Sequence, residues 1–316
     1  MPESAELLRQ AIAAELRQPV PAPVIAMADA IRARHPDGSI AAILFYGSCL
    51  RRSDPTEGVL DFYLLVDDYR SFYGRRLPAA ANAMLPPNVF YAEHVWNGSV
   101  LRAKYAVITL SQFARGTSRD SLQPALWARF AQPARLVAPR DATAAAMTVS
   151  ALANAAITFV GAVAPVLAPR FAAADLWTKG FAMTYGSELR SEGPDRALEL
   201  HRADEGRYDA LTEPALAAAG LVVDREPDGT LALSLAETAR EAERRRWRRR
   251  RIAGKLLNLL RLVKGAFTFD GALDYVLWKV ERHSGVRVAV TPWQRRHPLL
   301  AAPFVAWQLY RRGGFR

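Results

Sequence analysis

The sequence predicts an α+β fold: a mixed sheet with flanking helices, then a helical, winged-helix-like region, then a basic amphipathic C-terminal segment. Three observations carry this. Short apolar runs of strand length recur among helical segments up to about residue 140. Asn97-Gly98 separates two of those runs, and Asn-Gly between apolar runs is a strong hairpin signal because both central residues need positive φ. Beyond them the chain becomes alanine-rich and helical, and Lys and Arg then concentrate in one stretch.

Taken in order, residues 3–34 read as helices broken near Pro19 to Pro23. Ile40 to Tyr46 reads as a short buried strand running into Gly47-Ser48. Arg51 to Gly58 is polar with Asp-Pro turn chemistry, and Val59 to Val66 is a second strand. Asn88 to Val95 and Val100 to Leu110 form the arms of the Asn-Gly hairpin. Ala142 to Ala182 is helical, and a motif region follows from Thr184 to Arg196. A helix near Tyr208 to Ala219 precedes a small hairpin, Leu221 to Val223 and Thr230 to Leu233, turning through Asp224 to Gly229. The expected division is 1–140, 141–234 and 235–316.

Half of the residues are hydrophobic, enough for a sizeable core. The single cysteine, Cys49, makes neither a disulfide framework nor a zinc cluster, and reads as a small packing residue. That usage fits a reducing compartment. His35, His94, His201, His283 and His297 are scattered without zinc-ligand spacing. No run of eighteen apolar residues and no basic-then-apolar N-terminus is present, so neither a membrane span nor a secretory signal is expected. The formal charge is +11, and most of it sits between Arg240 and Gly265, where eleven Lys/Arg face two Glu. Such a block attracts polyanions, either nucleic acid or an anionic membrane.

The chemistry centres on Tyr46-Gly47-Ser48 and, thirteen residues after Ser48, Asp61 inside an apolar strand. Nucleotidyl transfer needs backbone N–H groups and a hydroxyl to hold a polyphosphate, and carboxylates to hold Mg²⁺ against it. Gly-Ser after a strand, opening a helix, supplies the first. A carboxylate on the neighbouring strand supplies the second. The alternative is a plain strand–turn–helix with an edge Asp.

This pattern resembles that of the nucleotidyltransferase superfamily: apolar residues, Gly-Ser, a gap of about ten residues, then Asp-x-Asp. Here the second acid is replaced by Tyr63. Asp67 shares the face of Asp61 but lies roughly 20 Å further along, too far to bind the same ion. Glu93 on a later strand is a second candidate carboxylate.

Further segments are similar, in order, to the mitochondrial-type phosphatidate cytidylyltransferase (translocator assembly and maintenance) family. They are Tyr46-Gly47-Ser48 with Asp61-Phe62, Asn88 to Tyr91, Arg102 to Ile108, Tyr185-Gly186-Ser187-Glu188-Leu189-Arg190, and Lys264-Gly265 with Thr268, Tyr275 and Lys279. Cys49, the Ala92-Glu93-His94 stretch and the tail beyond Gly285 depart from it. The resemblance implies a nucleotidyltransferase-fold enzyme that transfers CMP from CTP to phosphatidic acid, giving CDP-diacylglycerol and pyrophosphate with Mg²⁺. By position, Tyr46, Gly47 and Ser48 would hold the triphosphate, Asp61 would bind Mg²⁺, and Lys104 would face phosphate charge. Glu188 and Arg190 would line the substrate side, a surface salt bridge being the other reading. Lys104 has the alternative of snorkelling outward. Arg51 and Arg52 read as a solvated loop.

In the basic segment, Ile252, Leu256, Leu259, Leu260 and Val263 fall on one helical face, with Lys255, Arg261 and Lys264 near its flanks. This is an interfacial-helix composition, and Arg244 to Lys264 is expected to meet an anionic membrane. The location implied is cytoplasmic, peripheral on the inner face of a membrane. One alternative is a stripe facing the core with a solvated arginine face. Another is RNA or partner binding by a catalytically weak nucleotidyltransferase-like protein, which Tyr63 favours. Nucleic acid is the less expected partner, because aromatic residues are not interleaved with basic ones on strands. Leu299 to Tyr310 reads as a second membrane-facing or docking helix.

Overall fold

The computed structural model describes residues 2–51, 55–187, 194–268 and 290–296, with residues 304, 307, 308 and 311 beyond them. Helices α1 (Pro2–Leu16) and α2 (Ala22–Arg32) precede strand β1 (Ile40–Tyr46). A 3₁₀ turn (Ser48–Arg51) and a second (Pro55–Glu57) lead to β2 (Val59–Val66). Short helices α3 (Tyr69–Tyr73) and α4 (Arg76–Met84) cross to β3 (Asn88–Trp96), and β4 (Ser99–Thr109) returns beside it. The hairpin tip has positive φ at Asn97 (47°) and Gly98 (78°), as an Asn-Gly turn requires. Helices α5 (Leu110–Thr117) and α6 (Pro124–Phe130) lead to β5 (Ala134–Pro139), an edge strand that the apolar pattern does not reveal.

These strands form one mixed sheet in the order β3-β4-β2-β1-β5. β2 and β4 run parallel, and the other pairs are antiparallel. Side chains alternate across it. Ile43, Phe45, Phe62, Leu64, Tyr105 and Val107 pack toward α2 and α3. Ala42, Leu44, Tyr63, Leu65, Ala106 and Ile108 belong to a larger core on the opposite face.

That larger core continues through the second half of the described chain. It includes α7 (Ala142–Val163), α8 (Ala173–Tyr185), α9 (Pro194–Ala203) and α10 (Glu205–Ala218). Asp141 caps α7 by accepting from Ala144 N at 2.8 Å. By length and composition Ala142–Val166 could cross a membrane, but 72% of its most apolar window is buried, so α7 serves as the central core helix. Phe159 on α7 stacks on Trp177 of α8 at 4.8 Å. Two-residue β6 (Arg170–Phe171) joins β7 (Val223–Arg225) and β8 (Leu231–Leu233) in a small sheet ordered β6-β8-β7. The expected hairpin is present, with its first arm shifted two residues along the chain, so that Asp224 and Arg225 are strand rather than turn, and its second arm one residue shorter.

Helix α11 (Glu237–Thr268) spans 32 residues, and α12 (Pro292–Arg296) follows. The inner face of α11 is polar. Arg240 donates to the carbonyls of Pro165 (3.2 Å), Leu167 (3.0 Å) and Leu233 (3.0 Å). Glu243 and Arg250 are buried together, and Trp247 donates to Ala162 O at 2.7 Å. Gly254 lets the helix approach the end of α8, where a Cβ would stand 2.5 Å from Ser187 O. Near its C-terminal end, Arg261 and Lys264 bind the carbonyls of Leu85, Pro86 and Pro87 before β3.

The reading of a leucine stripe that faces the core is therefore overturned, while Arg244, Arg245, Arg248, Arg249 and Arg251 are solvated as that reading expected. Ile252 is 72% and Leu256 56% exposed, Leu259 and Leu260 are exposed too, while Arg240 and Arg250 are buried. The inner positions are held by hydrogen bonds and ion pairs rather than by the stripe.

Candidate active site

Register assembles the predicted residues. Tyr46 on β1 stands opposite Asp61 on β2, and Asp61 stands beside Lys104 on β4. Lys104 in turn pairs with Tyr91 on β3. Paired residues on neighbouring strands point to one face, so Tyr46, Asp61, Lys104 and Tyr91 form a row across the sheet. The row lies at the end of the larger core, where the sheet face becomes polar.

Within the row, Lys104 Nζ lies 3.5 Å from Asp61 Oδ1, both side chains being part-buried. Lys104 therefore turns its ammonium toward Asp61. Gly47 continues directly from Tyr46 with φ of +91°, the left-handed region that glycine tolerates. A Cβ there would stand 2.8 Å from Asp61 Oδ2. Glycine is thus required twice, by backbone conformation and by the carboxylate lodged against it.

Ser48 is exposed at the turn, and Leu50 N closes it by donating to Gly47 O at 3.2 Å. The expectation that Gly-Ser opens a helix is corrected: only the four-residue 3₁₀ turn follows. A turn that short has no macrodipole to draw an anion, so backbone N–H groups, the Ser48 hydroxyl and nearby cations remain for that task. Cys49 is buried and donates to Val59 O at 3.3 Å, a packing role as expected.

Tyr63, where the pattern would place a second acid, is only 2% exposed. Its ring packs against Tyr46, Phe113 and Phe130. Its hydroxyl accepts from Arg129 Nη1 at 3.2 Å. The Arg129 guanidinium lies 5.6 Å from the Tyr46 ring centroid and 5.9 Å from that of Tyr63. Sequence reasoning missed Arg129, since no spacing links it to Asp61. Its arrival depends on α6 packing over the sheet.

Glu93 lies two strands from Asp61, opposite Arg102. Arg102 Nε lies 3.3 Å from Glu93 Oε1, which also accepts from the Tyr91 hydroxyl at 2.7 Å. Glu93 is thereby committed to this edge cluster, which argues against it as a second ligand beside Asp61. Asp67, at the far end of β2, pairs with Arg140. Arg51 is not a solvated loop residue: it is part-buried and lies 3.9 Å from Asp204. Burial raises the Asp204 pKa despite Arg51 and Arg207 nearby. Arg52, Glu188 and Arg190, with Tyr275 and Lys279, lie outside the described residues. Most of the Leu299 to Tyr310 stretch does too.

Among the described residues, no group of three or more His, Cys, Asp or Glu could hold a metal. A single carboxylate is still compatible with Mg²⁺, which commonly takes one or two carboxylates and fills its octahedron with water and substrate phosphate. Asp61, part-buried at the turn, is the donor this arrangement offers. Neither family models nor curated proteins match this chain.

Proposed function

We propose that this chain is a nucleotidyltransferase that transfers CMP from CTP to phosphatidic acid at an anionic membrane surface, giving CDP-diacylglycerol and pyrophosphate. The observation that carries the reading is the Asp61 carboxylate seated against Gly47, with Lys104 3.5 Å from it. A tight glycine turn beside a carboxylate and a cation suits a polyphosphate and its ion. The order of motifs along the chain, similar to the phosphatidate cytidylyltransferase family, is what supports CTP as the nucleotide and phosphatidic acid as the acceptor.

The chemistry asks little acid–base work of the protein. The lipid phosphate is already ionised. One of its oxygens attacks the α-phosphorus of CTP, the bond from α-phosphorus to the bridging oxygen breaks, and pyrophosphate leaves. Positioning and charge neutralisation dominate such a transfer. Gly47 and Ser48 would hold the phosphates through backbone N–H groups and the hydroxyl. Asp61 would hold Mg²⁺, whose contribution is Lewis-acid neutralisation of phosphate charge. Lys104 would exchange part of its contact with Asp61 for the phosphate. The apolar outer face of α11, flanked by Arg248, Arg249, Arg251 and Lys255, would keep the enzyme where its lipid is.

Tyr63 favours a second reading, a catalytically weak relative that binds RNA or a partner. A transfer to another phosphate or to a soluble acceptor would use the same site. One screen separates all three. Purified protein is incubated with each of the four labelled nucleoside triphosphates, Mg²⁺, and phosphatidic acid, other lipid phosphates or soluble phosphates. Release of pyrophosphate with a liponucleotide from CTP and phosphatidic acid is expected, and Asp61→Asn should remove it while melting normally. Product with a different acceptor would replace the substrate, and no product with any pair would sink the enzymatic reading.

A further inference from the structure

The position where a second acid is expected delivers a cation instead. Asp61 and Tyr63 lie on one face of β2, two positions apart, roughly 6.6 Å along the strand. An aspartate at 63 would extend the anionic site. Tyr63 instead reaches across the face with a buried ring and receives a hydrogen bond from Arg129. The guanidinium is held between this hydroxyl and the faces of Tyr46 and Tyr63. Tyr46 precedes Gly47 and stands opposite Asp61 in the register, so Arg129 lies beside the side chain that leads into the glycine turn.

The support beneath Arg129 is rigid. Its helix neighbours Trp127 and Phe130 are fully buried, and Phe130 packs edge-on against Tyr63 at 5.1 Å and against Phe113 at 4.8 Å. Arg129 itself is half-buried, at the boundary of core and solvent. A guanidinium presents N–H donors in a planar fork, a geometry suited to phosphate oxygens.

We infer that Arg129 is a polyphosphate-binding residue of this site, positioned by Tyr63, and that the fixed guanidinium neutralises phosphate charge where the Asp-x-Asp pattern would use a second carboxylate with its metal ion. The inference rests on the nucleotidyltransferase reading and adds to it the group that compensates for Tyr63. It also accounts for the aromatic cluster around Tyr63, which fixes where the guanidinium sits.

Calorimetric titration of the full chain with CTP and with CMP, in Mg²⁺ and separately in EDTA, tests this. Arg129→Gln should weaken CTP binding roughly 10- to 100-fold in both conditions, the loss of one charge-assisted contact. CMP binding should change less than threefold, because CMP lacks the β- and γ-phosphates. Arg129→Lys should recover part of the CTP affinity, and Tyr63→Phe should show a smaller loss than Arg129→Gln. Thermal melting of each variant separates loss of binding from loss of fold. If wild-type protein binds CTP and Arg129→Gln binds it within twofold, the inference fails while the functional reading stands. An equal loss for CTP and CMP would also overturn it. If wild-type protein binds no nucleoside triphosphate, the functional reading fails and this inference with it.

Discussion

Arg250 donates from Nη1 to Glu243 Oε1 at 2.5 Å, and Arg250 is wholly closed off from solvent. Trp127 and Trp247 face its guanidinium at 5.7 and 5.3 Å. The two residues are seven apart on α11 and both point inward, so a charged pair stands where a leucine pair would be ordinary. Removing one partner strands the other charge in the core, at a cost of about 3–5 kcal/mol. Glu243→Ala should therefore lower unfolding free energy by about that much in urea denaturation. The double variant Glu243→Leu with Arg250→Met should be more stable than Glu243→Ala, because no charge is left unpaired. A Glu243→Ala protein within 1 kcal/mol of wild type would contradict the burial described.

Gly47→Ala should damage the candidate site through two separable effects. The positive φ costs an alanine about 1–2 kcal/mol. The new methyl would also meet Asp61 Oδ2, 2.8 Å away, and push the carboxylate from its place. Chemical denaturation should show a loss of about 1–3 kcal/mol. Adding Asp61→Ala should restore part of the stability by removing the clash, without restoring turnover. If the double variant is as unstable as the single, the contact with Asp61 is not what excludes a side chain at 47.

The strands were legible where apolar runs are bounded by turn residues, as at Ile40–Tyr46 and Val59–Val66. β5 escaped because Ala134–Pro139 is short and carries Arg135, and only its pairing with β1 makes it a strand. Gly47 and Asp61 were found from local pattern and Lys104 from the family resemblance; strand register sets Lys104 beside Asp61, and the turn sets Gly47 against it. Arg129 was invisible, since its helix reaches Tyr63 across 66 positions of sequence. The leucine stripe of α11 was legible as periodicity, but its direction was not. A period of 3.6 fixes which residues share a face and leaves open which face turns inward. Here Arg240, Glu243, Trp247 and Arg250 take the inner side through specific polar contacts.

Leu256→Glu with Leu260→Glu should abolish flotation with anionic vesicles and leave the melting temperature close to wild type, since both side chains are exposed. Charge should contribute separately. Neutralising Arg248, Arg249 and Arg251 to Gln removes about 1 kcal/mol each near an anionic bilayer, or roughly 100-fold in partitioning together. Arg250 must be left out of that set because it is a buried structural residue. Undiminished flotation of both variants would remove the membrane role assigned to this face.

His35 should make the protein acid-sensitive over a defined window. Its ring stacks on Phe72 at 4.1 Å, and Nε2 lies 3.3 Å from the Tyr105 hydroxyl. Burial, aided by the neighbouring charge of Arg34, lowers its pKa from 6.5 to about 4. Above pH 6.5 the imidazole is neutral in folded and unfolded chains alike. As pH falls from 6.5 toward 4, the unfolded chain takes up a proton that the folded chain refuses, so stability declines through that interval. Asp68 and Asp141 have pKa values lowered from 3.8 by hydrogen bonds to Ser71 and Ala144, so the stability they supply is lost mainly below pH 4. The raised Asp204 works in the opposite sense, because the folded chain there binds its proton first. Urea denaturation at pH 7, 6, 5 and 4.5 should therefore show a falling unfolding free energy for wild type. His35→Gln should be less stable at pH 7, through lost stacking on Phe72, and should fall less steeply below pH 6.5. Parallel slopes for the two proteins would mean that His35 does not carry the acid sensitivity.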